Sequence, residues 1–169
     1  MTDETRTAAM RVLPTLTEAQ ALGLTGAGEA RSELVPGKGW RAAPLEDMVA
    51  VMWTVANRRA LAPRFGSTIQ DVCFEHAQYS CWLSGTPNND WLLEEALLVA
   101  GAGEPSSVVQ DCIVAAEGIV AATIADPTHE ATHYYAPLSM IPPGRVPTWA
   151  RGLTPCATIG QHLFFKGVA

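Results

Sequence analysis

The last quarter of the chain is broken by proline. After Asp126-Pro127 come Pro137, Pro142, Pro143, Pro147 and Pro155. Proline lacks an amide donor and clashes with the carbonyl four residues back, so no long helix survives that spacing. The stretches Thr132 to Tyr135 and Gln161 to Phe165 carry β-forming aromatics and are expected to pair as short strands. Ahead of the break the pattern is helical. Leu45, Met48, Val49, Met52, Val55 and Ala56 recur at helical spacing, which predicts a helix from Pro44, in its first turn, to about Ala60. Thr17-Glu18-Ala19-Gln20 has the form of a capping box and opens an earlier helix, expected to run to about Glu33 although Gly23, Gly26 and Gly28 weaken it. A short helical turn from Thr68 to Phe74, a Leu-rich stretch from Asp90 to Ala102, and a helix from about Ser107 to Ala125 follow, the last opened by a second capping box, Ser107-Val-Val-Gln110. Residues 1–16 lack periodicity and read as an N-terminal arm, with residues 17–169 as one domain. The expected class is α+β, mainly helical, with a small antiparallel β element.

Charge and composition narrow the partners. The net charge is −6 across 169 residues, without a Lys/Arg run or basic residues interleaved with aromatics, so nucleic acid is not an expected partner. No segment approaches the roughly 18 to 20 apolar residues of a membrane span, so stable membrane insertion is not expected. The opening Met1-Thr-Asp-Glu-Thr-Arg has early acids and no apolar stretch, so a secretory signal is not expected and synthesis in the cytoplasm is. Cys73, Cys81, Cys112 and Cys156 include no Cys-x-x-Cys pair and are expected as free thiols. A monomer without a cofactor is the expected state.

Three segments could carry chemistry. In Gly28-Glu29-Ala30-Arg31-Ser32-Glu33, two carboxyls four apart share a face if the helix continues. Ala19, Leu22, Gly26 and Glu29 fall on one small, apolar stripe, which turns Glu29 inward. Desolvation and a neighbouring like charge both disfavour an ionised carboxyl, and a carboxyl so placed can carry a proton to a glycosidic oxygen. Without that setting, the two acids are an ordinary solvated helix face. In Gln78-Tyr79-Ser80-Cys81-Trp82, aromatic faces can pack on sugar rings while the amide and hydroxyl bond their substituents, or the same aromatics can plug the core. Ala131-Thr132-His133-Tyr134-Tyr135 repeats the mixture of hydroxyls, aromatics and histidine. A different chemistry is raised by His129-Glu130-Ala131-Thr132-His133, which fits the His-Glu-x-x-His zinc pattern of a peptidase or amidase. That pattern requires a helix and a third ligand. No Asp or Glu follows His133, which leaves His162 or an upstream acid. The rival from another class is a non-catalytic binding or structural module.

Taken in order, the segments resemble the cell wall hydrolase family of the spore-cortex-lytic enzyme type, also found as phage and prophage lysins. The resemblance runs from Gly28-Glu29-Ala30-Arg31-Ser32-Glu33 through Met48-Val49-Ala50-Val51, Val55-Ala56-Asn57-Arg58, Arg64-Phe65, Thr68-Ile69 and Asp71-Val72. It continues through Gln78-Tyr79-Ser80-Cys81-Trp82, Asp126-Pro127-Thr128, Ala131-Thr132-His133-Tyr134-Tyr135 and Trp149-Ala150-Arg151-Gly152 to Thr158-Ile159-Gly160 and His162-Leu163-Phe164-Phe165. It implies a lysozyme-like or lytic-transglycosylase-like fold and cleavage of bacterial peptidoglycan between N-acetylmuramic acid and N-acetylglucosamine, with Glu29 as general acid and then base. On this reading Glu33, Gln78, Tyr79, Ser80, Trp82, His133, Tyr134 and Tyr135 bind the saccharide, with Tyr79 and Trp82 as stacking walls. A phage or prophage endolysin, reaching the wall through a separate membrane pore, is the expected setting. Three departures stand out. Leu34 to Ala43 looks inserted, Tyr79 stands where Phe is usual, and His129-Glu130 occupies a place of small residues. The acidic net charge also sits awkwardly with an anionic wall.

Overall fold

The computed structural model describes residues 1–86 and 88–168. Its helices are α1 (Asp3–Val12), α2 (Glu18–Ala30), α3 (Leu45–Ala60), α4 (Ile69–Phe74), α5 (Asn89–Leu97) and α6 (Ser107–Val120). The strands are β1 (Ser32–Val35), β2 (Gly39–Ala42), β3 (His133–Tyr135), β4 (Ala157–Ile159) and β5 (His162–Phe165). The class is the expected one, mainly helical α+β with small antiparallel elements, consistent with a lysozyme-like architecture.

Helix α2 is the centre of the core. Its Thr17 capping box forms, with Gln20 N–H on the Thr17 hydroxyl and the Gln20 side chain returning to the Thr17 amide. It packs against α6 and α3 and also meets α4 and α5. Every residue from Ala21 to Ala30 is buried except Glu29, so the expected one-sided stripe gives way to a helix enclosed on all sides. The glycines that weaken this helix locally are what allow the enclosure. A Cβ on Gly23 would lie 2.8 Å from the Ile113 backbone, one on Gly26 2.7 Å from Met52, and one on Gly28 2.8 Å from Cys81. Packing therefore outweighs the propensity cost of about 1 kcal/mol per glycine.

Other elements depart from the sequence reading for identifiable reasons. The presumed arm contains a helix: Thr2 caps α1, Ala9 is buried, and Arg6 bonds Asn89 at 3.0 Å and pairs with Asp90 on α5. The helix expected to reach Glu33 stops at Ala30, because Ser32–Val35 pairs with Gly39–Ala42 in a hairpin of register Glu33 with Arg41 and Leu34 with Trp40. The second capping box does not form. Ser106 is the cap residue, its N–H is taken by Glu95 at 2.9 Å, and the Gln110 side chain bonds Pro105. Helix α6 ends at Val120 rather than Ala125, as Ala122 turns left-handed and Thr123 N–H reaches back to Gly118 C=O at 2.8 Å, a closure that satisfies the last carbonyls.

The two aromatic segments do pair. Strand β5 lies between β3 and β4, antiparallel to both, with His133 opposite Phe165 and Tyr134 opposite Phe164. Strand alternation then divides the aromatics. Tyr134, His162 and Phe164 cluster on one side, with ring centroids 5.5 to 6.1 Å apart. His133, Tyr135 and Phe165 gather around Trp149 on the other.

Candidate active site

A cavity of about 870 Å³ opens where the end of α2, the β1–β2 hairpin, the Gln78–Ser80 segment and the three-stranded sheet meet. Glu29 is on its wall, in the last turn of α2. Three donors converge on its carboxyl. Cys81 N–H donates to Oε1 at 2.6 Å and the Ser80 hydroxyl to the same oxygen at 3.0 Å, while the Tyr134 hydroxyl donates to Oε2 at 2.6 Å. Oε1 therefore has both lone-pair directions taken, and Oε2 keeps one on which a proton can ride. Burial, then the Glu29 charge, push the Tyr134 phenol well above its ordinary range, so Tyr134 stays a donor at neutral pH. The same two causes push the Cys81 thiol up. A raised thiol pKa leaves little thiolate for attack, so Cys81 contributes its amide rather than its sulfur.

Glu33 also lines the cavity, but from a strand rather than from the helix face it was expected to share with Glu29. It is buried, and its Oε1 accepts from Arg41 Nε across the hairpin at 2.5 Å. The hairpin is the segment that looked inserted, and it is firmly tied down. Gln161 acts as a strand edge, its Oε1 accepting Leu34 N–H at 3.1 Å and its amide donating to Leu34 C=O. Ala43 N–H closes the base on Arg31 C=O at 2.9 Å. Beneath it Asp47 is buried with Oδ2 unpartnered. Burial, then Glu33 and Glu46, push the Asp47 carboxyl above its ordinary value.

Of the Gln78–Trp82 segment, only part faces the cavity. Ser80 lines it and is exposed. Gln78 lines it too, yet its amide is committed inside the protein: Nε2 donates to Phe65 C=O at 3.0 Å and Oε1 accepts from Arg58 at 3.2 Å. The two expected stacking walls are elsewhere. Tyr79 is 1% exposed, with its hydroxyl 3.1 Å from that of Thr54. Trp82 donates its indole N–H to Thr25 at 3.0 Å and packs edge-on against Phe74. Both plug the core because the turn Ser80–Trp82 must bring Cys81 N–H under Glu29, which points its neighbours inward.

From the sheet, His133, Tyr134 and Tyr135 all reach the cavity. Burial, then Arg58 and Arg64, bring the His133 imidazole down to about 4, so it is neutral at physiological pH, with Nδ1 3.0 Å from the Thr132 hydroxyl. The zinc-like pattern has no helix under it. His129 and Glu130 both take left-handed φ, 56° and 67°, because Asp126 gathers the N–H groups of Thr128 and Glu130, the Thr128 hydroxyl and the Asn57 amide into a tight loop. Burial alone would raise the Asp126 carboxyl, but those bonds hold it below its ordinary value. His129 and His133 consequently share no helical face, and among the described residues no group of three His, Cys, Asp or Glu is arranged to hold a metal ion.

Arg58, Trp149 and Trp40 are among the cavity residues that were not singled out as site residues from the sequence. Arg58 had a legible signal. It follows Val51 and Val55 on the buried stripe of α3, and an arginine there needs partners, which it finds in Thr132 C=O at 2.6 Å and in Gln78. Trp149 stands in one of the motifs that carry the family resemblance, yet its place at the cavity depends on the sheet, and Trp40 has no local signal, since its position depends on the hairpin.

The model of the family described as Cell Wall Hydrolase matches residues 42–165. No curated protein and no solved structure matches the chain. The matched stretch holds Ser80, Cys81 and Tyr134, whereas α2 with Glu29 and most of the hairpin precede it.

Proposed function

The chain belongs to the cell wall hydrolase family, and from that premise we propose that it cuts the glycan backbone of peptidoglycan between N-acetylmuramic acid and N-acetylglucosamine, with Glu29 as acid and then base. The observation that carries this reading is the convergence of three donors on one cavity-facing carboxyl. In the first step the Glu29 acid gives its proton to the glycosidic oxygen as the bond to the anomeric carbon breaks. The resulting carboxylate is received by Cys81 N–H, Ser80 and Tyr134, donors already in place, so little reorganisation is needed as charge develops. In the second step the carboxylate takes a proton from the attacking hydroxyl. If that hydroxyl is the muramic 6-hydroxyl the outcome is transglycosylation; if it is water, hydrolysis. The single-carboxyl route is favoured because Glu33 is already engaged by Arg41.

Ser80, Tyr135 and the neutral His133 are the proposed saccharide contacts, with Trp149 behind the last two. The proposed setting is a monomeric phage or prophage lysin that reaches the wall through a separate pore. No helix among the described residues is long and apolar enough to cross a membrane. Mass spectrometry of products from purified peptidoglycan tests the bond and the route together. Anhydro-muramic ends mean transglycosylation and reducing muramic ends mean hydrolysis. Cut stem peptides with intact glycan would refute the proposal.

A further inference from the structure

We propose that the β1–β2 hairpin supplies an additional glycan subsite, in which the face of Trp40 stacks on a pyranose ring of the same strand that Glu29 cuts. The inference rests on the glycosidase reading above and adds to it a determinant of substrate length.

Trp40 is 62% exposed, and among the described residues no other Phe, Tyr or Trp is exposed. It belongs to neither apolar cluster of the fold. Trp40 nevertheless lines the same cavity as Glu29 and Glu33. A large aromatic left in water beside a cleft lined by both carboxyls and aromatic rings, with no packing role of its own, is suited to a ligand that has an apolar face and a polar rim, and a pyranose ring is such a ligand.

The platform is also held in place. The cross-strand neighbour of Trp40 is Leu34, and Leu34 is the residue whose N–H and C=O are both taken by the Gln161 side chain. The pair Glu33 with Arg41 locks the next register position, and Ala43 N–H on Arg31 C=O closes the base directly after α2. The backbone that carries Trp40 is thereby fixed relative to the helix that carries Glu29, so a sugar stacked on the ring is held near the bond being cut. Such preorganisation favours binding because little freedom is lost when the ligand arrives. Trp40 lies ahead of residues 42–165, so the platform is a feature of this chain outside the stretch that the family model matches.

The test uses soluble, peptide-free glycan strands prepared from peptidoglycan and separated by length, cut by the full chain and by its Trp40→Ala and Trp40→Phe variants. On long strands Trp40→Ala should raise KM about 3- to 10-fold, the range expected for loss of one stacking contact, with kcat within about twofold of wild type. The preference for long over short strands should shrink with it, and Trp40→Phe should recover most of the loss. A second measurement separates binding from turnover. Calorimetric titration of long strands into Glu29→Gln should show the same fold-loss in affinity when Trp40→Ala is added. An unchanged KM and affinity in Trp40→Ala, while wild type still generates new glycan ends, overturns the subsite alone. A wild-type protein that generates no new glycan ends overturns the glycosidase reading, and the subsite falls with it.

Discussion

Replacing Glu29 in two different ways separates its chemical role from its structural one. In Glu29→Gln the amide oxygen can still accept from Cys81 N–H and Ser80, while the new NH₂ faces the Tyr134 hydroxyl, which can turn from donor to acceptor. All three contacts survive in kind, so the melting temperature should stay within about 2 °C of wild type. Activity should not survive, because an amide cannot donate as an acid, and loss of a general acid removes about a hundredfold or more of rate. Glu29→Ala is different. It leaves the Cys81 amide, in a residue 1% exposed, and the Tyr134 hydroxyl without their acceptor, at a cost of about 1 to 3 kcal/mol. For a domain of this size that is a fall of roughly 2 to 12 °C. The assays are turbidity loss of purified cell walls and a thermal melt. Glu29→Gln within a few-fold of wild-type activity would sink the catalytic assignment. Equal melting of the Gln and Ala variants would mean that the three hydrogen bonds do not hold the site together.

Three further outcomes follow from the geometry. Chelator treatment should leave lysis intact and metal analysis of the purified protein should find no stoichiometric zinc, since His129 and Glu130 are left-handed rather than helical; lysis lost on chelation and restored by zinc would overturn this. Stability should fall as pH drops from about 6.5 toward about 4, because His133 takes up a proton near 6.5 when unfolded but only near 4 when folded, so the unfolded state binds more protons in that window. His133→Asn should flatten that part of the melting curve, and an unchanged slope would assign the effect to other groups such as His162, which burial shifts the same way. Gly28→Ala should lower both the melting temperature and the activity, as its Cβ would lie 2.8 Å from Cys81 and from Leu92, an overpacking of about 1 to 3 kcal/mol beside the residue that holds Glu29; a variant as stable and as active as wild type would show that the helix has room to shift.

What the sequence disclosed was local. The Thr17 capping box, helix α3 and the two aromatic strands each carry their signal within a few residues, and each forms as expected. What it concealed depends on distant partners. Helix α1 is too polar to announce itself and is fastened by Arg6 to Asn89 and Asp90, more than 80 positions away. The end of α2 is set by a hairpin anchored through Gln161, 127 positions from Leu34. In the candidate site the same division holds. Glu29 was legible because it is the one charged residue on an otherwise small and apolar run. The inward turn of Tyr79 and Trp82 was not, since a surface aromatic and a core aromatic look alike until the neighbouring turn is placed.

The site joins two parts of the chain that are remote in sequence. The carboxyl comes from α2, ahead of the stretch matched to the family, and its three donors come from 51, 52 and 105 positions further on. Their meeting depends on how closely α2 can approach the turn at Ser80–Trp82, and that approach is set by Gly28, which rests against Cys81. One turn earlier Glu29 would be sealed among Leu22, Thr25 and Gly26, all buried, and one turn later the helix has already given way to β1. The helix is thus weak by propensity at the very positions where its packing is closest. From Ala21 to Ala30 the helix has one charged side chain, Glu29, and that side chain meets donors fixed by other elements. On the proposed reading of Glu29 as acid and then base, such support lets the charge on the carboxyl change while its surroundings stay where they are.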